Sequence, residues 1–211
     1  MMKIEVKNIS KKFKSEDVLK DVNMTLEGGH IYAFVGRNGS GKSVLLKIIC
    51  GFYKPTSGEV LFDGIDYNKT NSFPPSLRAL IEHPSFLNDL SGYKNLEILA
   101  NIQHKIGRSE IEKAIIQVGL DPKNPKKYGT YSLGMKQKLG IAQVIMENPD
   151  IMILDEPFNG VEEQTVPLIR NLLLEKKNEG KLIVIATHIK DDIQFADDIY
   201  LFQDGTVQKT N

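Results

Sequence analysis

Apolar residues in the first third of the chain alternate with polar ones. Ile4, Val6 and Ile9 stand against Glu5 and Lys7, and Val22, Met24 and Leu26 stand against Asn23 and Thr25. A period of two marks strands that bury one face, the habit of antiparallel pairs. Gly28-Gly29 breaks the chain, and Ile31 to Val35 follows as an unbroken apolar run. Such a run predicts a central strand covered on both faces. Ser43 to Ile49 is expected to be helical, and Gly58 opens a short strand over Glu59 to Phe62. Residues 63–80, richer in Asn, Pro, Ser and Thr, are expected to form a loop.

From Ser91 the period becomes helical. Leu96, Leu99 and Ile102 fall on one predicted helix face, and Ile111, Ile115 and Val118 on the next, which Gly119 and Pro122 stop. The last third alternates strand and helix. Ile151 to Leu154 reads as a buried strand, Val166 to Lys177 as a helix, and Leu182 to Ala186 as a second buried strand. Ile199 to Phe202 and Thr206 to Gln208, joined at Asp204-Gly205, predict a hairpin. Fully apolar strands alternating with helices imply an α/β fold, a parallel sheet with helices on both faces. The N-terminal antiparallel strands form a β subdomain beside it. The helical stretch interrupts the alternation, so a helical subdomain inserted at about residues 83–147 is expected within a single domain spanning 1–211.

Composition narrows the function. The 211 residues carry 27 basic and 27 acidic side chains. A net-neutral chain lacks the global positive field of a nucleic-acid binder, so no nucleic-acid partner is expected. One cysteine, Cys50, excludes an internal disulfide framework, fits a reducing compartment and reads as a small core residue. No run approaches the roughly 20 apolar residues of a membrane span, and the N-terminus lacks the apolar stretch of a signal peptide. A cytosolic protein is expected.

The chemistry begins at Gly36-Arg37-Asn38-Gly39-Ser40-Gly41-Lys42-Ser43, a full match to G-x-x-x-x-G-K-[ST]. Its glycines let backbone N–H groups turn inward around a phosphate chain, and the helix that follows presents its positive end to the same anion. Lys42 adds a cation for the outer phosphates, and the Ser43 hydroxyl is a ligand for Mg²⁺. The expected nucleotide contacts are these eight residues with Val44. A second element ends the apolar strand at Asp155-Glu156. Ligands of open parallel sheets sit outside the carboxyl ends of strands, where Asp155 can hold Mg²⁺ and Glu156 can polarise an attacking water. A third, Thr187-His188, also follows a strand, which puts His188 within reach of a terminal phosphate.

Taken together, these residues resemble the ABC transporter ATPase family over nearly the whole chain. The deciding stretch is Tyr131-Ser132-Leu133-Gly134-Met135-Lys136-Gln137-Lys138, similar to the family's L-S-G-G-Q signature, with Leu133 and Met135 departing from it. The resemblance implies a P-loop NTPase fold, ATP and Mg²⁺ as cofactors, and an ATP-hydrolysing subunit that powers export through a separate integral-membrane permease. It implies a second ATPase subunit, expected as a homodimer, in which Ser132 and Gly134 touch a nucleotide held by the partner chain. It places Phe13 where an aromatic stacks on adenine, and Glu162, in Asn159-Gly160-Val161-Glu162, where an interface aspartate is commoner. Glu82 stands where most of the family has a glutamine that helps hold Mg²⁺ and opens the segment meeting the permease. Catalytic roles fall to Glu156, His188 and Lys42.

The Leu80-Ile81-Glu82 start and the Tyr131-to-Gln137 signature resemble one branch in particular, the bacterial exporters of bacitracin resistance and lantibiotic immunity. The implied location is cytoplasmic, attached through the permease to the inner face of the cell membrane. The alternatives are a soluble ABC-type ATPase and a nucleotide-sensing subunit not tied to transport; an intact Glu156 counts against a non-hydrolysing sensor.

Overall fold

The alternating N-terminal segments pair as expected. Strands β1 (Lys3–Phe13) and β2 (Glu16–Glu27) are antiparallel, and β4 (Ser57–Phe62) joins the other edge of β1 in a three-stranded sheet of order β2-β1-β4. The computed structural model describes residues 2–67, 69, 72–74, 76–189 and 193–210.

The second sheet has six strands. β3 (Ile31–Val35), β5 (Leu77–Leu80), β6 (Ile151–Asp155), β7 (Leu182–Thr187) and β8 (Asp198–Gln203) run parallel, and β9 (Thr206–Thr210) closes the edge as the antiparallel arm of the hairpin. Their order is β5-β6-β7-β3-β8-β9. Every residue of β3, β6 and β7 is buried, and alternate side chains serve opposite faces. Tyr32, Phe34, Ile153 and Val184 face helix α1 (Lys42–Ile49) and the three-stranded sheet. Met152, Leu154, Ile183 and Ile185 face helices α2 (Gly92–Gln103), α3 (Arg108–Gln117), α4 (Leu133–Ile145) and α5 (Val166–Asn178). Covering on both faces is what a parallel sheet requires.

Two expectations need correction. The stretch expected to be a loop contains β5, whose four residues pair with β6 from Leu77 opposite Ile151 to Leu80 opposite Leu154. Leu-Arg-Ala-Leu on a sheet edge has too few residues to display a period, and Arg78 interrupts its apolar character. Residues 68, 70, 71 and 75 of that stretch lie outside the described residues. The second correction concerns α2. Leu96 is fully buried, but Ile102, assigned to the same face, is 71% exposed. The buried stripe runs through Leu96 and Ala100, one turn apart, and leaves Ile102 on the outer side.

These burials set an expected result. Leu139→Ala, which empties a fully buried site on α4, should lower stability to unfolding by about 2–5 kcal/mol. Ile102→Lys should change it by less than about 0.5 kcal/mol, as an exposed substitution does. Denaturant titration of both variants checks the pair; a large loss from Ile102→Lys would contradict the assignment of the outer face.

Candidate active site

Parallel register gathers the sequence elements at one edge of the sheet. Val35 lies beside Thr187, Ala186 beside Asp155, and Leu154 beside Leu80. The residues that follow each strand, the Gly36 loop, Glu156, His188 and Glu82, therefore emerge side by side at the carboxyl ends, where ligands of such sheets bind.

The loop after β3 takes its shape from glycine. Gly41, with φ of 103°, sits where an added Cβ would meet the Leu19 side chain at 2.7 Å and the Val18 carbonyl oxygen at 2.9 Å. Only glycine tolerates both the left-handed backbone and the close approach. Gly41 also stands at the N-cap of α1, which carries no side-chain cap. The free N–H groups of that helix end are left for an anion. Lys42, only 5% exposed, donates from Nζ to the carbonyls of Gly36 at 2.6 Å and Arg37 at 3.2 Å. Both acceptors are neutral. Burial lowers the Lys42 pKa, and nearby Glu156 and Asp155 only partly oppose it. A buried cation bonded to neutral carbonyls is a receptor for negative charge.

The Ser43 hydroxyl donates to Asp155 Oδ2 at 2.7 Å. Asp155 is 4% exposed, and desolvation raises its pKa although the Ser43 bond, Lys42 and the Glu82 backbone N–H all pull it down. Two hard oxygen donors in contact, one of them a carboxylate penalised for its charge, fit a divalent cation. Among the described residues no group of three or more His, Cys, Asp and Glu side chains converges on a metal position. Mg²⁺ suits this sparse arrangement, since it keeps several waters and takes one or two carboxylates together with substrate phosphate.

Glu156 leaves β6 with φ of 49°, and Glu82 leaves β5 with φ of 61°. Left-handed backbone at a non-glycine residue costs conformational energy that the surrounding structure must hold in place. The Glu156 carboxylate accepts from His188 Nδ1 at 2.8 Å and from Thr187 Oγ1 at 3.3 Å. Its backbone N–H donates to the Ala186 carbonyl at 2.8 Å. On its other side Gln137, 3% exposed on α4, donates to the Glu156 carbonyl at 2.9 Å. Glu82 is held differently. Its Oε1 accepts from Lys47 Nζ at 2.5 Å, and this bond raises the Lys47 pKa.

A cavity of about 640 Å³ is lined by Asn38, Gly39, Ser40, Gly41, Lys42, Ser43, Val44, Glu82, Asp155 and Glu156, along with Gln137 and Asn159. Gly36, Arg37 and His188 line a neighbouring hollow that shares Asn38, Gly39 and Ser40 with the first. Phe13, 40% exposed, stands outside both, its ring centre 5.7 Å from that of Tyr53 in a T-shaped pair and 4.8 Å from Lys11 Nζ. Ser132 and Gly134, at the N-terminus of α4, also lie outside both. The Ser132 hydroxyl caps the helix by accepting from the Met135 N–H at 3.2 Å. Gly134 packs so tightly on the following loop that an added Cβ would meet the Gly160 carbonyl oxygen at 2.5 Å. Glu162 in that loop accepts from Lys138 at 3.0 Å. Cys50 is buried, and burial pushes its thiol pKa up to about 12, which leaves it inert at neutral pH.

The sequence assigns no role to Gln137 or Lys47, and it marks Thr187 only as the residue before His188. Gln137 had a signal, its place in the Tyr131-to-Lys138 stretch. Lys47 had a fainter one: it lies one helical turn beyond Ser43, on the same face of α1.

A glycine-shaped loop at a helix N-terminus, a bonded serine-carboxylate pair and a glutamate held by His188 and Thr187, set on this sheet, are the features of a nucleoside triphosphatase. Residues 19–159 match the family described as ABC transporter. The chain belongs to that family, as an ATP-binding cassette with ATPase activity. It is 41% identical over 198 residues to the ABC transporter ATP-binding protein YybJ of Bacillus subtilis, covering 94% of this chain and 91% of that one. It is 38% identical over 205 residues to the bacitracin transport ATP-binding protein BcrA of Enterococcus faecalis, covering 96% and 67%. With the lantibiotic transport ATP-binding protein SrtF of Streptococcus pyogenes it shares 32% over 205 residues, covering 97% and 88%. Among solved structures, a dimeric bacterial ABC transporter cassette is similar at a TM-score of 0.89 and 25% identity, over 99% of this chain and 98% of the other. The bacitracin and lantibiotic relatives are of the branch that Glu82 and the Tyr131-to-Gln137 stretch resemble.

Proposed function

We propose that this chain hydrolyses Mg²⁺-ATP at the 640 Å³ cavity and thereby drives an exporter of antimicrobial peptides through a separate membrane permease. The observation that carries the chemistry is the convergence of Lys42, the Ser43–Asp155 pair and Glu156 at one sheet edge. Mg²⁺, held by Ser43, Asp155 and Glu82, would neutralise phosphate charge as the terminal phosphoryl group transfers. Lys42 trades its loop carbonyls for phosphate oxygens. Glu156 accepts a proton from the attacking water, whose oxygen bonds to the terminal phosphorus as the bond to the ADP oxygen breaks. His188 and Thr187 hold the Glu156 carboxylate in position, and His188 meets the terminal phosphate. Phe13 offers an exposed ring for the adenine.

The second subunit enters because the site is incomplete within one chain. Ser132 and Gly134 stand at a helix N-terminus, fit to receive an anion, yet lie outside the cavity of their own protomer. A two-fold homodimer supplies each site with its partner's α4 terminus, the closed symmetry commonest among homo-oligomers. On this reading residues 83–147 act as a helical subdomain within a single ATPase domain. Among the described residues no helix is long and apolar enough to cross a membrane. Attachment to the cytoplasmic face of the cell membrane would therefore run through the permease, with no nucleic-acid partner.

The segment Pro84 to Leu90 is the proposed permease contact. Leu87 is 57% exposed, whereas Phe86 is half-buried with its ring 5.2 Å from that of Tyr128. Leu87→Asp should thus leave folding and ATP binding intact while transport by the reconstituted complex falls by at least about tenfold, the effect of losing one buried apolar anchor at an interface. Wild-type transport by Leu87→Asp would remove this residue from the contact, and a loss of folding would place it in the core.

A further inference from the structure

Helix α1 carries Ser43 and Lys47 one turn apart on the same face. Each holds one of the two carboxylates proposed to meet the metal: Ser43 bonds Asp155 at 2.7 Å, and Lys47 bonds Glu82 at 2.5 Å. The two pairs are neighbours, because Glu82 and Asp155 line the same cavity. Lys47 is well placed to stay where it is. Its side chain is only 20% exposed, and its ammonium lies 5.4 Å from the ring centre of Tyr53. Glu82, 64% exposed, is the less enclosed partner of the two.

A glutamate at position 82 brings a full negative charge to a cavity that already holds Asp155 and Glu156 and must receive a triphosphate. Lys47 cancels that charge through a direct hydrogen bond. The ammonium and a divalent cation also draw on the same carboxylate, so whichever holds it weakens the claim of the other.

We infer that Lys47 is a positioning residue: it neutralises Glu82 while nucleotide enters and releases its carboxylate to the metal afterwards. The inference rests on the proposed reading of Glu82 as a metal ligand. Two opposite effects follow from removing the ammonium. Metal-free nucleotide meets an uncompensated carboxylate and binds more weakly. The metal meets no competitor for Glu82 and binds more tightly.

The test uses the full chain as wild type, Lys47→Met, Lys47→Arg, Glu82→Gln, Glu82→Ala and the Lys47→Met/Glu82→Gln double variant. Methionine keeps the apolar stem against Tyr53, and arginine keeps the charge. Calorimetry measures binding of a non-hydrolysable ATP analogue in EDTA, and electron paramagnetic resonance of free Mn²⁺ measures metal binding to the analogue complex. With Glu82 in place, Lys47→Met should weaken analogue binding by about two- to fivefold and tighten Mn²⁺ binding by a similar factor, the scale of an exposed ion pair. Lys47→Arg should follow wild type. Added to Glu82→Gln, Lys47→Met should change neither quantity. Equal changes with and without the Glu82→Gln substitution, or changes of the same sign in the two measurements, would overturn the inference. Should Glu82→Ala weaken Mn²⁺ binding while Lys47→Met does nothing, Lys47 alone loses its role. Unchanged Mn²⁺ affinity in Glu82→Ala, which removes the oxygen ligand that glutamine keeps, would overturn the metal reading of Glu82 and the inference with it.

Discussion

Lys42→Ala should abolish ATP turnover and weaken ATP binding by at least about a hundredfold, because it deletes the buried ammonium beside the phosphate loop. Each hydrogen bond to a charged group contributes about 1.5–3 kcal/mol, and Lys42 is placed to make more than one. The fold should tolerate the change. Wild-type Lys42 is buried at a desolvation cost, and without nucleotide its Nζ partners are two carbonyls of its own loop. The melting temperature of the free protein should therefore move by only a few degrees. Saturating ATP should stabilise wild type, by about 2.7 kcal/mol at a hundred times its dissociation constant, and leave the variant where it was. Wild-type hydrolysis, or an undiminished ATP-induced shift in melting temperature, would dismantle the phosphate-site assignment.

Glu156→Gln should slow hydrolysis by at least about 10²-fold, a typical general-base contribution, while sparing ATP affinity. The amide oxygen can still accept from His188 Nδ1, and the backbone anchors to Ala186 and Gln137 do not involve the side chain. Binding and turnover should thus separate. With ATP the variant should elute at twice the monomer mass, because the ligand that bridges two protomers is no longer consumed; with ADP it should elute as a monomer. A persistent monomer carrying unhydrolysed ATP would refute the homodimer. Rapid turnover would move the general base elsewhere.

The parts of this site that were legible from sequence are those whose neighbours along the chain complete their meaning. Gly36 to Ser43 carries its own loop and helix start, and the fully apolar strands ending at Val35, Asp155 and Thr187 announce both their burial and their exits. β5 was illegible because four edge residues hold no period. Ile102 misled because a helical spacing of three does not say how wide the buried stripe is. The contacts that hold the carboxylates are tertiary in origin. Gln137 reaches Glu156 from helix α4, and Lys47 reaches Glu82 across 35 residues of chain. The local signals at Gln137 and Lys47 do not name their partners, since a helical lysine is an ordinary helix residue until its opposite number is known.

The place of β7 in the sheet has a consequence for how the protein is made. β3, which leads into the phosphate loop, has β7 and β8 as its two neighbours, and residues 36–181 lie between its end and the start of β7. While a ribosome is still producing that interval, a fully apolar strand has both hydrogen-bonding edges without their native partners. Such long-range parallel pairing closes slowly and leaves unpaired edges open to aggregation. The carboxylates at the end of β6 come beside the loop after β3 only once β7 has slotted between their strands, so the full site is expected to assemble late in synthesis.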